Sequence, residues 1–445
     1  MRFDNRFAYL RPWWNARALR RARSSITSGG HVQATAAYVT DQAVCSAGNF
    51  LTTLLAARYL SADYFGVFAL LNIVILFSLT VNNWLIRSSL SSTSQLGDSV
   101  EVKGYTGTLV GLASVFGLAP AAVLICATCA LHHAELCVPL AVVAIATQVQ
   151  ETLRRSAMAQ LRYRIGVLGD IISYLGQALV IGCAVLASSL SLSVVFWAMG
   201  ATSALSVAIQ ARGLELGRPK KLLVTARKCW EQGRWITLSG FVLSPIAYGM
   251  PWILELTRGQ AEAGVLSGLI LVLGLSNPLM FSSTWLILVR GQAAKYGSIS
   301  ALLRRVIPTT LLTSIPLLAY WITVFLFPRS ALSLFYGDRQ PYNHLHGSLQ
   351  LVVIYYLASY IAVCLEVMTD TREKSRERIR FDIWVSGLML SVGLLSSLKG
   401  GLPALLCVGI LAHAIRAVSY SVILARPSVP NSLSTSPLTH SEVAL

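Results

Sequence analysis

The sequence predicts an all-α polytopic membrane protein with about twelve transmembrane helices. Only 12% of its 445 residues are Asp, Glu, Lys or Arg, whereas 55% are hydrophobic and the mean hydropathy is +0.62. A soluble protein of this size carries about twice that share of charge. The hydrophobic residues occur in runs of roughly twenty, the length of helix that crosses the hydrocarbon core of a bilayer.

Twelve hydrophobic runs, bounded by charged residues, Gly, Pro or polar clusters, are the predicted spans. They are too long and too continuously apolar to be the alternating ten-residue strands of a membrane β-barrel. The predicted spans are 40–60, 64–86, 106–130, 134–152, 166–188, 190–211, 236–257, 262–289, 306–328, 348–369, 382–398 and 401–425.

The basic residues predict the orientation of these spans. With a cytoplasmic N-terminus, thirty of the 36 Lys and Arg fall in inner loops, and Arg416 lies within the last span. The outer loops hold only Arg58, Arg258, Arg329, Arg339 and Lys399. The positive-inside rule therefore predicts that both termini are cytoplasmic in a bacterial inner membrane. The net charge of +17 reflects this asymmetry, so anionic membrane lipids are expected partners and nucleic acid is not.

A long basic loop divides the chain into two halves of six spans each. The predicted parts are a basic cytoplasmic N-terminal segment (1–37), an N-lobe (38–211), a basic cytoplasmic linker (212–234), a C-lobe (235–425) and a tail (426–445). The tail is rich in Ser, Pro and Thr, a composition that predicts disorder.

Two segments of the first half have counterparts in the second. Tyr64-Phe65-Gly66-Val67 at the start of span two corresponds to Glu262-Ala263-Gly264-Val265 at the start of span eight. Arg164 precedes Asp170-Ile171 as Arg378 precedes Asp382-Ile383. Because each half contains an even number of spans, the two halves have the same orientation. Two parallel six-helix lobes around a central cavity are typical of alternating-access transporters, although two unrelated apolar segments can also align this well.

The cysteines and histidines do not predict a metal site or a cofactor. Cys126-x-x-Cys129 has the spacing of a redox or metal pair, but thiols in an apolar helix behave as small hydrophobic groups. His132-His133 and His344-x-His346 lie in outer loops without nearby groups to complete a metal site.

The stretch 55–70 reads Leu-Ala-Ala-Arg-Tyr-Leu-Ser-Ala-Asp-Tyr-Phe-Gly-Val-Phe-Ala-Leu. It resembles the junction of the first two helices of the polysaccharide transporter (O-antigen flippase-like) family of the multidrug/oligosaccharidyl-lipid/polysaccharide exporter superfamily. Three further segments are similar to the same family. Leu85-Ile86-Arg87 resembles the end of the family's second helix, and Gln150 to Arg155 with Leu161 to Arg164 resembles the basic loop after the family's fourth helix. Gly233-Arg234-Trp235 resembles the segment before the family's seventh helix.

This resemblance, which covers roughly residues 38–290, implies an inner-membrane flippase. Such a protein moves polyprenyl-diphosphate-linked oligosaccharide to the outer leaflet during exopolysaccharide or O-antigen synthesis and works beside a polysaccharide polymerase and glycosyltransferases. The chain departs from the family in its seventh span, where Tyr248-Gly249-Met250-Pro251-Trp252 stands in a region that often carries a charged residue. The resemblance therefore assigns no ion-coupling or substrate-handling residue to this span.

Ionisable and polar residues within spans are the candidate functional residues, because they are costly in lipid. Arg87 and Arg416, with Arg290 as a third, are predicted to bind the diphosphate, since guanidinium groups match phosphate oxygens geometrically. Asp41, Glu255 and Glu366 are candidates for coupling transport to an ion. The predicted polar residues of the cavity are Asp41, Asn49, Tyr248, Tyr356, Tyr360 and His413.

Each of these assignments has a structural alternative. Asp41, Cys45, Asn49 and Thr52 form one polar face of span one, which lines the cavity or joins helices through hydrogen bonds. The tyrosines stack on sugar rings or belong to aromatic belts at the membrane surface.

An enzyme is not predicted, because the chain has no Asp-x-Asp pair and no outer loop large enough to fold alone. Two other functions remain as alternatives to the flippase. One is a drug or small-solute exporter of the same superfamily. The other is a non-transporting membrane scaffold that recruits a polysaccharide synthase.

Overall fold

The computed structural model describes residues 28–93, 99–292, 299–337, 342–372 and 374–426, and all longer regular elements in them are helices. Most of the predicted N-terminal segment and nearly all of the predicted tail lie outside these residues. The helices are α1 Ser28–Tyr59, α2 Ala62–Thr93, α3 Ser99–Ala130, α4 Cys137–Ala159, α5 Tyr163–Leu186, α6 Leu192–Leu214, α7 Leu222–Arg258, α8 Gln260–Gly274, α9 Asn277–Gln292, α10 Ile299–Leu326, α11 Pro328–Tyr336, α12 His346–Thr371 and α13 Ser375–Ala425.

The prediction of an all-α membrane protein is confirmed. Among the described residues, eight helices are long and apolar enough to cross a membrane, or ten spans when the bent pair α8–α9 and the two parts of α10 each count as one. The apolar stretch of α13 is 49 residues long, about 73 Å, which is enough for two crossings. Counting α13 as two spans gives eleven, and α1 contains the remaining predicted span, 40–60.

α13 breaks at Gly401, between the predicted spans 382–398 and 401–425. Gly401 has φ 62° and ψ −148°, a conformation that only glycine adopts readily. The chain reverses there, because Tyr420 of the second half donates a hydrogen bond to Asp382 of the first. Arg258, at the end of α7, holds the break by donating to the carbonyl oxygens of Ser397 (3.1 Å) and Leu398 (2.9 Å).

The two lobes meet through α2 of the N-lobe and α7 and α8 of the C-lobe. Gly66 on α2 and Gly264 on α8 bring the two backbones into contact near their predicted outer ends. Further along α2, the ring of Phe77 packs edge-on against Phe241 and Tyr248 of α7, with centroids 5.1 and 5.7 Å apart. One of the two pairs of segments that are related in the sequence, 64–67 and 262–265, therefore also joins the lobes.

The connection between the lobes is shorter than the predicted linker 212–234. α6 continues to Leu214 and α7 begins at Leu222, so only residues 215–221 are non-helical. This connection is fixed to the start of α3: the Gly217 amide donates to the Lys103 carbonyl (3.0 Å), and the Lys220 amide donates to the Thr108 hydroxyl (2.9 Å).

Candidate functional site

Each lobe contains a cluster of buried or half-buried carboxylates and guanidinium groups at its predicted cytoplasmic end. The N-lobe cluster consists of Asp41 and Cys45 on α1, Glu151 and Arg154 on α4, and Asp170 on α5. The C-lobe cluster consists of Glu366 on α12 and Arg378, Asp382, His413, Arg416 and Tyr420 on α13.

Arg154 is the centre of the N-lobe cluster. Its Nε and Nη2 atoms donate to the two carboxylate oxygens of Glu151 at 2.8 and 2.9 Å. Its Nη1 donates to Asp41 Oδ2 at 2.9 Å. Asp41, Glu151 and Arg154 are all buried. A buried guanidinium is stable only when it is paired in this way, so α1 and α4 are held together by charge.

Asp170 completes the N-lobe cluster from α5. Cys45 Sγ donates to Asp170 Oδ2 at 3.3 Å, and Gln150 donates to Oδ1 at 3.2 Å. The ligand atoms of Asp41, Cys45 and Asp170 lie within 4.8 Å of one another, an arrangement that could hold a cation. Arg154 Nη1 lies within 3.6 Å of an atom of each of these three side chains. The cation at this position is therefore the tethered guanidinium.

The backbone of α5 changes directly after Asp170. Residues Ile171–Leu175 form a π-helical turn, and Gly48 of α1 packs against it. A Cβ atom on Gly48 would lie 2.6 Å from the backbone of Tyr174, so only glycine allows α1 to approach this closely. π-helical turns occur frequently at functional sites, and this turn adjoins the N-lobe cluster.

Glu366 links the two arginines of the C-lobe cluster. It pairs with Arg378 through one carboxylate oxygen and accepts from Arg416 Nη2 at 2.6 Å through the other. Arg378 also donates to the Ser239 hydroxyl of α7 at 3.0 Å and lies 3.4 Å from a carboxylate oxygen of Asp370. Glu366 is 19% exposed, whereas both arginine side chains are 5% exposed or less.

The predicted diphosphate ligand Arg416 uses its remaining nitrogen atoms within the second half of α13. Nε donates to the Tyr420 hydroxyl at 3.1 Å, and Nη1 donates to His413 Nδ1 at 3.2 Å. His413 Nε2 makes no hydrogen bond among the described residues. Tyr420 in turn donates to Asp382, which is fully buried. Arg416 thus lies inside the C-lobe, with every nitrogen bonded to the protein.

The two clusters differ in their balance of charge. In the N-lobe cluster, the carboxylates of Asp41, Glu151 and Asp170 face the guanidinium of Arg154, and Arg155, which is 35% exposed, bonds to Glu151 from the edge at 2.8 Å. In the C-lobe cluster, the carboxylates of Glu366 and Asp382 face the guanidinium groups of Arg378 and Arg416, and Asp370 lies at the edge. With all groups ionised, the defined N-lobe cluster has an excess of negative charge, whereas the defined C-lobe cluster is balanced.

The structure modifies one part of the predicted internal repeat. Asp170 and Asp382 both have no exposed surface and lie at equivalent positions of the two clusters. Arg164 is exposed, however, and the arginine beside Asp170 is Arg154. The prediction that residues 150–155 belong to a loop after the fourth helix was wrong, because α4 continues to Ala159 and buries Glu151 and Arg154.

The predicted aromatic residues of the cavity lie within the C-lobe or between the lobes. Tyr356 donates to the Ile270 carbonyl at 3.4 Å, and the Tyr360 hydroxyl lies 2.8 Å from that of Ser314. Both are buried, and Tyr248 is half-buried against Phe77. Their contact with a substrate stays a prediction.

The other predicted residues differ in their surroundings. Asn49 is exposed, whereas the remaining members of its predicted polar face, Asp41, Cys45 and Thr52, are buried. Glu255 is half-buried on α7, and its Oε2 makes no hydrogen bond among the described residues. Arg87 and Arg290 belong to α2 and α9, but their side chains lie outside the described residues.

The fold is similar to those of solved transporters. A eukaryotic MATE transporter superimposes with a TM-score of 0.66 and 13% identity, over 90% of this chain and 97% of its own. The lipid II flippase MurJ, in an inward closed conformation, gives a TM-score of 0.62 and 11% identity over 88% of this chain and 87% of its own. An inward-facing multidrug resistance MATE family transporter of the MOP superfamily gives 0.60 and 11% over 88% and 93%.

No protein-family model and no curated protein matches the sequence. The structural similarity therefore concerns the fold, and it extends over nearly the whole chain. It confirms the predicted architecture of twelve helices in two lobes. This chain has the fold that the MATE transporters share with the lipid II flippase.

Proposed function

We propose that this protein is a flippase that moves polyprenyl-diphosphate-linked oligosaccharide across the bacterial inner membrane by alternating access. The observation that carries the proposal is the similarity of almost the entire chain to transporters of the MOP superfamily and to a lipid flippase. The sequence resemblance to polysaccharide transporters favours the lipid-linked oligosaccharide over a drug.

The proposed binding of the diphosphate begins with Arg87 and Arg290. They occupy the C-terminal parts of α2 and α9, which belong to corresponding spans of the two lobes and end on the predicted cytoplasmic side. Arg416 joins them only by exchanging its bond to Glu366 for a bond to a phosphate oxygen. Because both bonds are charge-assisted, the exchange keeps the guanidinium paired.

The proposed movement is a rotation of the lobes against each other, with the contacts of α2 with α7 and α8 breaking and forming. Coupling to protons is proposed at the two clusters, through Asp41 in the N-lobe and Glu366 in the C-lobe, because both are carboxylates within predicted spans, where an ionisable group is costly. Glu255 is a separate candidate for proton coupling, because no guanidinium group pairs with it in the described part of the chain.

The first experiment is deletion of the gene in its native cell. If the protein is a flippase, the cells should lose the exported polymer and accumulate lipid-linked oligosaccharide on the inner leaflet. Expression of the wild-type chain should restore export and remove the accumulation. The variant Arg87→Ala should fail to restore export although it inserts normally, whereas Arg212→Ala, an exposed basic residue at the same predicted face, should restore it.

A second measurement separates the alternatives. Purified protein in liposomes should move a fluorescent polyprenyl-diphosphate sugar between leaflets. Drug resistance that changes while polymer export continues would instead indicate a drug exporter. Absence of any flipping in liposomes, together with loss of polymer in the deletion, would indicate a scaffold. Transport that continues at the same rate after the proton gradient is collapsed would exclude proton coupling.

A further inference from the structure

The N-terminal part of α7 extends beyond the membrane-spanning part of that helix. The span covers Thr237–Arg258, whereas α7 begins at Leu222. We call residues 222–234 the linker helix. Together with the preceding residues 218–221 it contains six Lys or Arg and a single acidic residue, Glu231. These basic residues are Arg218, Lys220, Lys221, Arg227, Lys228 and Arg234.

The linker helix also exposes large apolar side chains. Leu223 is 87% exposed, Val224 65% and Trp230 55%. Leu223, Arg227 and Trp230 are spaced at i, i+4 and i+7, so they share one face of the helix. Thr225 and Cys229 are buried on the opposite face. An exposed face that combines tryptophan, aliphatic and basic side chains is typical of helices that lie at the surface of a membrane.

The packing of the linker helix against α3 gives its direction. At one end, the Leu222 side chain lies 3.3 Å from the position of a Cβ atom on Gly111. At the other end, Cys229 packs with Leu109 and Ala113, which flank Gly111. The segment 222–229 is about 10 Å long, yet both of its ends meet α3 within one helical turn. The linker helix therefore runs across α3 and not along it.

The level of this crossing coincides with the predicted cytoplasmic surface of the membrane. The span of α3, Val100–Ala130, is about 46 Å long, which exceeds the hydrocarbon core by roughly 15 Å, or ten residues. With Ala130 at the outer boundary of the core, Leu109 to Ala113 lie at the inner boundary. A helix that crosses α3 at this level lies in the plane of the headgroups.

We infer that the linker helix is a binding site for anionic phospholipid of the cytoplasmic leaflet. Leu223, Val224 and Trp230 enter the boundary between headgroups and acyl chains, and Arg218, Lys220, Lys221, Arg227 and Lys228 bind the headgroup phosphates. Arg227, which pairs with Glu231 at 2.9 Å, exchanges this exposed partner for a phosphate. Anionic lipid is the occupant that the position and the charge favour over a protein.

The site connects the two lobes. Residues 215–221 are fixed to α3 of the N-lobe by the hydrogen bonds of Gly217 and Lys220, whereas α7 continues from the linker helix into the C-lobe. Lipid that binds the linker helix therefore holds the junction between the lobes at the membrane surface. This inference does not depend on which substrate the protein moves.

The test measures lipid binding by the purified full-length protein. Native mass spectrometry in micelles that contain equal amounts of phosphatidylglycerol and phosphatidylcholine gives the apparent affinity for each lipid. The double variant Arg227→Gln/Lys228→Gln should lose about 25-fold in affinity for phosphatidylglycerol, about fivefold for each charge removed, and keep its affinity for phosphatidylcholine. The matched control is Arg304→Gln/Arg305→Gln, an exposed basic pair on α10.

The affinity of the control Arg304→Gln/Arg305→Gln for phosphatidylglycerol should change less than threefold. Equal losses for both double variants, or a loss of less than twofold for Arg227→Gln/Lys228→Gln, would overturn it. A second variant, Trp230→Ser, keeps all charges. In phosphatidylglycerol nanodiscs it should raise hydrogen exchange in residues 222–234 at least tenfold over the wild type, and unchanged exchange would contradict the proposed insertion. Elution as a monodisperse species on size exclusion confirms folding of each variant.

Discussion

Gly66 and Gly264 lie against each other where α2 crosses α8 between the two lobes. A Cβ atom on Gly66 would lie 1.9 Å from the carbonyl oxygen of Gln260, and a Cβ atom on Gly264 would lie 2.5 Å from that of Ala62. Both distances are far shorter than van der Waals contact. Glycine at these two corresponding positions of the repeat therefore lets the lobes meet through their backbones.

Replacing Gly66 by Ala should weaken this contact. Because the obstacle is backbone and not a flexible side chain, α2 and α8 must move apart, and we expect the free energy of unfolding to fall by about 1–3 kcal/mol. Thermal unfolding of the purified protein measures the change. Gly182→Ala is the control, since a Cβ atom there meets no atom within 4 Å. Equal stability of the two variants would show that the backbones do not meet at Gly66.

The connection between the lobes should be sensitive to acid. Glu215 pairs with Lys103, and this hydrogen bond and charge lower the pKa of the Glu215 carboxyl below its usual range. Since the folded pKa is lowered, the pair stabilises the connection above the unfolded pKa of about 4.3 and is lost as pH falls through the lower folded value.

Spin labels at positions 101 and 218, in a variant whose native cysteines have been replaced, can report the loss of this pair. Their distance distribution should stay narrow between about pH 5 and 8 and broaden below about pH 4. In Glu215→Gln the distribution should be broader than in the wild type and unchanged by pH over that range. A wild-type distribution that does not respond to acid would show that the backbone bonds of Gly217 and Lys220 suffice to hold the connection.

Hydropathy could predict the spans because apolar runs and their boundaries are local properties of the sequence. The break in α13 was predictable for the same reason, since Lys399-Gly400-Gly401 interrupts an apolar run. The end of α4 was not. Charged residues at 151, 154 and 155 look like a loop, because an unpaired charge in a helix at that depth is costly. Pairing removes that cost, and pairing is a tertiary property.

The candidate site was predictable in part. Asp41, Glu366, His413 and Arg416 stood out as ionisable residues in apolar runs, and all four belong to the clusters. Arg154 could not be identified, because its partner Asp41 is 113 residues away and no local pattern joins them. The shared Asp-Ile pair at 170–171 and 382–383 was the signal for Asp170 and Asp382, although it did not identify the arginine beside Asp170.

Any residue other than glycine at position 401 should destabilise the reversal of the chain. The φ of 62° with ψ of −148° at Gly401 is a conformation that costs a residue with a side chain about 1–3 kcal/mol. Gly401→Ala should therefore lower the thermal stability and loosen the bonds between Arg258 and the end of the first half of α13. Gly387→Ala, in the regular part of the same helix with no atom near its Cβ, is the control. A Gly401→Ala protein as stable as the control would mean that the chain reverses elsewhere.

Removal of the Arg154 guanidinium should destabilise the N-lobe more than any single change at its surface. Arg154→Gln leaves the buried carboxylates of Asp41 and Glu151 without their shared partner. Because one side of a buried ion pair is removed, the free energy of unfolding should fall by about 3–5 kcal/mol. Arg155→Gln is the matched control, because Arg155 is 35% exposed and bonds only to Glu151 among these residues. We expect Arg155→Gln to lower the free energy of unfolding by less than about 1 kcal/mol.

A double variant tests whether charge is the cause. Arg154→Gln/Asp41→Asn removes one positive and one negative group, so it should recover a large part of the stability lost in Arg154→Gln, although Asp41→Asn alone should be destabilising. Such recovery is the sign of coupling between two residues in contact. If thermal unfolding shows that the loss of stability in the double variant equals the sum of the losses in the two single variants, Arg154 acts through the packing of its side chain. The role of Arg154 as an internal cation would then be wrong.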